Sequence, residues 1–510
     1  MNAVLETMSH IWEGLYISMF DPLNIILMAV GTFLGLIVGA LPGISSPMAI
    51  VIILPITYYL KVPPIAAMML LMGVYTGTKT GGAYPSILLR TPGTPAGACT
   101  ALDGYPMAQR GEAGKAMGYS ILSSAYGGVI GWILAVIFVP VIGSIVIHSQ
   151  PEDIALIGLL GLTMVSAFVK GNMVRGLIGV AFGLLIASIG LDANDGAARF
   201  VYGIADLSTG IPFNAALVGF FGLAVVLADI KEVGNVPEML EGGKLNFKMP
   251  STWATMRDYW KPMTFGSLLG TVIGAVPGVG GEGSTWIAYA MVKNRDPNPE
   301  RFGQGAPEGV LVPEATNNAN NGGTLVPMLT LGIPGDGSTA IMLSALTLYG
   351  LDPGVTLMRD HPQMVYAVLG AMLVSTLLMW GMSWYTCSWF IRVLRQDRSW
   401  IFPFVLVLVI VGAFAGQNAM YSVYIALIFG GVGYLFEKCG FSVVPTVMAI
   451  ILGPVIEINT RTALAMGSGD WSVFVGTWWR VVILFIIAVV LLSSVYSSFF
   501  KRETKGEVQC

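Results

Sequence analysis

The chain is short of charge: 26 Lys and Arg with 29 Asp and Glu in 510 residues, 11% where a soluble protein carries about 25%. With 55% apolar side chains, so few charges cannot cover a water-facing surface, which excludes an ordinary soluble enzyme. Cysteine and histidine are scarce as well. Cys99, Cys387, Cys439 and Cys510 lie far apart without a CxxC pair, and His10, His148 and His361 are equally scattered, so neither a disulfide framework nor a metal site is expected. Basic blocks are missing apart from Lys501, Arg502 and Lys505, and the net charge is only −3, which excludes nucleic acid as a partner. Residues 1–21 hold no Lys or Arg and no small-residue cleavage site after an apolar core. They read as an amphipathic interfacial segment, not a signal peptide. Enzyme signatures are lacking: HExxH and GxSxG do not occur, and no paired Asp in GxGD form appears. GVYTGTKT (73–80) has Thr78 where a phosphate-binding loop needs Gly before Lys, and GEAGKA (111–116) has Ala after Lys. The chain therefore reads as a non-enzyme without cofactors, and an ion gradient is left as its energy source.

What is abundant is glycine, 64 residues against the usual 7% or so, and it falls inside apolar segments. Apolar stretches fit for simple crossings lie at 116–147, 154–169, 173–190, 213–229, 362–391, 399–415, 418–436, 441–456 and 474–499. Between them, 31–103 and 266–350 are apolar but broken by Gly, Pro, Asn and Thr. The fold class is an all-α polytopic membrane protein with about 12 crossings or re-entrant segments.

The broken regions match each other. GTFLGLIVGALPGI (31–44) aligns on GSLLGTVIGAVPGV (266–279) at an offset of 235, with Gly31, Gly35, Gly39 and Pro42-Gly43 all kept. At an offset of 242, GGAYPSILLRTPGTP (81–95) meets GTLVPMLTLGIPGDG (323–337). A duplicated unit explains both. Placing Arg110 and Lys115 in the cytoplasm puts Lys170, Arg175 and the Lys-rich 230–261 inside and 192–210 outside. Placing Arg392, Arg395 and Arg398 inside puts 350–362 and 457–472 outside, with the basic tail inside. The loops after the two PG segments, 103–115 and 350–362, then face opposite ways, so two inverted repeats with broken helical hairpins are expected. Their bounds are 22–230 and 262–499, joined by a cytoplasmic linker 231–261 and followed by a tail 500–510. Re-entrant hairpins and full crossings both have even parity, so the inversion holds for either.

Broken backbone at membrane depth must be buried in protein or line a watery cavity, where helix N-termini suit carboxylates and loose carbonyls suit Na⁺. The first such segment, TGTKTGGAYPSILLRTPGTP (76–95), carries Lys79 and Arg90. An ionisable group inside a span costs about 2.5–3.5 kcal/mol, which marks it for function, although Lys79 can also snorkel or pair with an acid. The second, PEATNNANNGGTLVPMLTLGIPGDGS (313–338), clusters Asn317, Asn318, Asn320 and Asn321 with Thr324 beside apolar sequence; the plain alternative is a solvated loop. Glu314, Asp336 and Ser338 are candidate Na⁺ or H⁺ ligands, as are Gly43, Ser45, Ser46 and Gly278 at the PG breaks, where caps and close packing are the structural alternatives; Glu282 is equally ambiguous.

These residues resemble a known family. The LPGI break, the GG…IL…TPGTP…LDGYPMAQRGEAGKA segment (81–116) and PEATNNANNGGTLVPMLTLGIPGDGSTA (313–340) are similar to the large membrane subunit of the bacterial tripartite tricarboxylate transporters, over nearly the whole chain. The resemblance implies a multi-pass protein of the bacterial inner membrane importing a di- or tricarboxylate on a Na⁺ or H⁺ gradient. It also implies two partners, a small four-crossing membrane subunit and a periplasmic substrate-binding protein. The family's signature loops correspond to Gly81, Gly82, Thr91, Pro92, Gly93, Thr94 and Pro95, and to Asn317, Asn318, Gly323, Pro334, Gly335 and Asp336. The family's first loop reads closer to YGG…ILxNTPGTP, whereas here Thr80 precedes the glycines, Lys79 stands before it and Arg90 takes the Asn position. The substrate-binding set expected is Lys79, Gly81, Gly82, Ser86, Arg90 and 91–94 with the asparagine cluster, Thr324, Pro334 and Gly335. An anion channel and a carboxylate carrier working alone are the alternatives.

Overall fold

The computed structural model describes residues 2–41, 43–168, 173–192, 196–229, 248–278, 280–394, 401–415 and 418–500. Lys170, most of the linker (230–247), Arg395, Arg398 and the tail 501–510 lie outside the described residues. The first half runs α1 (Asn2–Phe20), α2 (Pro22–Ala40), α3 (Ser46–Tyr59), α4 (Pro64–Gly81), α5 (Ala83–Leu89), α6 (Gly97–Gln109), α7 (Ala113–Ile147), α8 (Pro151–Phe168), α9 (Met173–Ala187), α10 (Phe213–Leu217) and α11 (Ala224–Asp229). A π-helical stretch, Val218–Leu223, joins the last two. The second half runs α12 (Thr252–Gly274), α13 (Gly280–Arg295), α14 (Glu308–Leu331), α15 (Gly337–Leu348), α16 (Val355–Asp360), α17 (Pro362–Leu394), α18 (Ile401–Ala415), α19 (Met420–Lys438), α20 (Val444–Met466) and α21 (Trp478–Phe500). Strand pairing among the described residues is limited to Gly190–Leu191 with Ala198–Arg199. Among the described residues, five helices are long and apolar enough to cross a bilayer, α2, α7, α17, α19 and α20. The chain is an all-α polytopic membrane protein.

The glycine stripes set the two broken regions. A Cβ added at Gly31, Gly35 or Gly39 of α2 would come closer than 3.0 Å to the carbonyl oxygens of Leu70, Val74 and Thr78 on α4. The partners advance together, so α2 and α4 run parallel, and α3 must carry the chain back between them. In the second half, Gly266, Gly270 and Gly274 of α12 meet the carbonyls of Val312, Thr316 and Asn320 on α14 in the same way. These are the same pairs displaced by 235 and 242, the offsets that align the sequence. In the reverse direction Gly81 abuts the Leu36 carbonyl and Gly323 that of Thr271, again at those offsets. Backbones this close leave no room for a side chain, which is why both stripes are glycine. Each hairpin turns on a left-handed glycine, Gly43 (φ 91°) and Gly278 (φ 86°), a conformation that any Cβ would strain.

The two halves meet where α4 crosses α14. Tyr75 Oη lies 3.2 Å from Thr324 Oγ1, Lys79 Nζ 3.1 Å from Asn320 Oδ1 and Thr80 Oγ1 3.2 Å from Asn318 Oδ1. One series rises as the other falls, so these equivalent helices run in opposite directions at the centre of the molecule. A second fastening lies at the far end of α6, where buried Asp103 accepts the backbone N–H groups of Gly303, Gly305 and Ala306 at 2.7–2.8 Å and the Tyr289 hydroxyl at 2.9 Å. It ties the first half to the loop that starts α14.

The longest helices flank this centre. At 35 residues, α7 spans about 52 Å, well beyond a hydrocarbon core of about 30 Å. It packs on α14 through Gly127 and Gly131 and touches α17 at Thr376 through Gly128. Helix α12 starts at Thr252, inside the stretch read from sequence as linker, because Ser251 caps it by accepting the Ala254 N–H. Helix α1 lies on α17, with Ser18 donating to the Ala367 carbonyl at 2.9 Å and Trp12, Tyr16 and Phe20 exposed.

Candidate functional site

All four breaks converge on one cavity of about 480 Å³. Its wall takes Ser45, Ser46 and Pro47 from the start of α3, Thr94, Pro95 and Ala96 from the start of α6, and Gly278 with Gly280–Gly283 from the start of α13. Asp336, Gly337 and Ser338 come from the start of α15, and Lys79 and Asn317 from the α4–α14 crossing. Four helices of 12 to 16 residues thus point their N-termini at a shared space. Each leaves backbone N–H groups without intrahelical partners and a partial positive charge, so the helix ends make the cavity favourable to negative charge.

Of the charged lining groups, Lys79 is only 5% exposed. Its Nζ donates to the Asn317 main-chain oxygen (3.2 Å) and to Asn320 Oδ1 (3.1 Å), lies 3.8 Å from Asp336 Oδ2, and sits 4.8 Å from the centre of the Tyr75 ring. Asp336 caps α15 through the Thr339 N–H at 2.9 Å and accepts the Tyr75 hydroxyl at 2.6 Å. Glu282 adds a second carboxylate to the wall. Asp336 and Glu282 against Lys79 give the charged side chains of the wall a formal sum of −1, in a space whose helix ends favour anions.

Two lining groups have unused polar atoms. Both side-chain atoms of Asn317, which is 1% exposed, lack a hydrogen-bond partner, and so does the Thr94 hydroxyl at 4%. A buried amide without partners is expensive in a finished core, and reasonable where a ligand completes it.

The other sequence-expected residues support the wall or lie apart from it. Gly81 and Gly93 permit backbone contact with Leu36 and Gly39, Gly82 lies under Thr94, and Gly335 lies on Thr324. Ser86 donates to the Gly82 carbonyl at 3.0 Å. Asn318 bridges Thr80 and the Glu314 carbonyl, Asn320 reaches Lys79 and Gly270, and Thr324 meets Tyr75. Asn321 and Pro334 are buried and do not line the cavity, and Thr91 and Pro92 are half-buried in the TPGTP break. Glu314 is buried away from the cavity, taking hydrogen bonds from Thr100 at 2.5 Å and Ser124 at 3.3 Å. Gly43 is exposed at its hairpin tip. Arg90 is exposed too, in a left-handed turn that ends α5, with its guanidinium 5.9 Å from the Tyr105 ring.

Sequence reading missed Tyr75, although its place four residues before Lys79 puts both on one face of α4. It also missed Val165 of α8 and the Gly440–Ser442 turn before α20, which close the cavity from distant parts of the chain and carry no local signal.

The chain is 31% identical over 458 residues to an uncharacterized 52.8 kDa protein in the TAR-I ttuC' 3' region of Agrobacterium vitis, covering 89% of each. It is 30% identical over 206 residues to an uncharacterized protein in the TAR-II ttuC' 3' region of the same organism, covering 40% of this chain and 85% of the relative. No solved structure matches. The family described as the Tripartite tricarboxylate transporter TctA family matches residues 25–448, which include both hairpins and all four breaks, and the chain belongs to that family.

Proposed function

We propose that this transporter subunit imports an organic carboxylate of the di- or tricarboxylate class by secondary active transport across the bacterial inner membrane, driven by a Na⁺ or H⁺ gradient. The observation that carries the reading is the convergence of four helix N-termini on one cavity with buried, unpartnered Asn317 and Thr94. Helix ends and amide donors attract carboxylates, while the Asp336 and Glu282 carboxylates oppose an anion entering alone. A cation entering with the substrate removes that opposition, and coupling follows from the charge of the wall. The opposed α4 and α14 with their matched glycine contacts support a pair of inverted repeats, the plan of many carriers whose site lies at the repeat interface. Family membership supports a small four-crossing subunit and a periplasmic binding protein as partners.

The test is uptake in proteoliposomes holding both membrane subunits, with the loaded binding protein outside. Accumulation above the outside concentration, abolished when the cation gradient is collapsed, is expected. Equilibration without accumulation would instead identify an anion channel. Uptake that does not depend on the binding protein would identify a carrier working alone.

A further inference from the structure

Lys79 sits in a nest of oxygens. Its near neighbours are a main-chain carbonyl (Asn317), an amide carbonyl (Asn320) and a carboxylate (Asp336), all on α14 or the break after it. That is a donor set for a hard cation, and the ammonium stands where the ion would stand. Its contacts go to the protein, which leaves little of its charge for an anion in the cavity.

The duplication gives this position a mate. At the offset of 242, Lys79 corresponds to Asn321, Asn320 to Thr78 and Asp336 to Thr94. The mate has an amide where the first position has an ammonium. Two of its oxygens, Asn321 Oδ1 and Thr94 Oγ1, are buried without a hydrogen-bond partner, as oxygens awaiting a cation would be. We propose that Lys79 is a tethered cation: it fills one of two pseudo-equivalent coupling positions permanently, and a mobile cation takes the other, beside Asn321 and Thr94. This rests on the reading of the chain as a cation-coupled carrier, and it fixes the coupling at one mobile cation fewer than two equivalent positions would give.

The test compares thermal melting of the purified two-subunit membrane complex without substrate, as NaCl replaces choline chloride at constant ionic strength. Lys79→Ala uncovers the oxygens, and the Hill coefficient of its Na⁺ response should exceed that of the wild type by about one. Lys79→Met, which covers them without charge, should gain nothing. If Lys79→Ala does not fold, Lys79→Thr serves in its place. An unchanged Na⁺ response in the small-side-chain variant overturns the proposal, as does a tenfold or greater rise in carboxylate half-saturation without a change in cation dependence, which would make Lys79 an anion ligand. Failure of the wild type to transport any organic acid would sink the functional reading, while the melting comparison would still decide the fate of the cation position.

Discussion

The two broken regions share their packing and differ in their chemistry. Gly35 against Val74 and Gly270 against Thr316 are the same contact made twice, as are Gly39 against Thr78 and Gly274 against Asn320. At the cavity the equivalence ends: Lys79 faces the place of Asn321, Thr94 that of Asp336, and Tyr75 that of Asn317. Helix contact tolerates one solution, a residue without a side chain. The cavity wall tolerates many, because its groups answer to a ligand. The two charges that meet across the crossing, Lys79 and Asp336, come from different halves, so neither half holds a complete site.

The largest effect is expected where the halves agree. Gly35→Leu and Gly270→Leu each drive a side chain into a neighbouring backbone, and overpacking of that kind costs about 3 kcal/mol or more because backbone cannot yield as a side chain would. Both should lose the monodisperse peak in detergent chromatography to the same extent. A well-folded protein from only one would show that the packing is not equivalent.

Next come Asp336→Asn and Thr94→Ala, which occupy matched positions. Removing the Asp336 charge takes the nearest counter-charge from buried Lys79 and weakens the Tyr75 hydrogen bond, so uptake should fall at least tenfold and melting should drop. Thr94→Ala removes a hydroxyl that has no partner, so melting should hold while uptake declines more modestly. Equal melting losses from the two would contradict the asymmetry.

Asn317→Ala sharpens the point. Its amide makes no hydrogen bond, so its loss removes a buried polar group at no structural expense and leaves stability level or slightly raised. Half-saturation for the carboxylate should rise about tenfold, the worth of one charge-assisted hydrogen bond. A destabilised protein with unchanged half-saturation would give Asn317 a structural role.

The smallest effect belongs to Asp296, at the open end of the second hairpin, whose carboxyl Arg301 holds below the usual carboxylate range by donating two hydrogen bonds. A depressed folded-state value contributes stability above the unfolded value, and that contribution is lost as pH falls through the depressed one. Asp296→Asn should leave melting at neutral pH almost unchanged and slightly flatten its decline in acid. A large loss at pH 7 would mean that this part-buried pair anchors the loop.

Much of the fold was legible because lipid restricts the options. Each of the nine plain apolar stretches holds helix among the described residues, and the breaks fall where Pro and Gly interrupt apolar sequence. The glycine stripes were readable as close-packing faces, since few other roles suit glycine every fourth residue of a membrane helix. The site was legible in its chain-local parts, the four breaks and the Asn317 region. Val165 and Phe441 reach the cavity, and Tyr75 reaches its Asp336, only through tertiary packing of α8, the turn before α20 and α4. Arg90 illustrates the converse: a charge inside apolar sequence is exposed because the break after α5 turns it outward.

We propose that one cavity holds the carboxylate and the cation together. It is tested most directly by alkylating Ser45→Cys and Ser338→Cys in a background whose native cysteines are serine. Substrate and cation together should slow modification at both sites, and each alone should do so weakly. Full protection by the carboxylate alone, or none at either position, would contradict it.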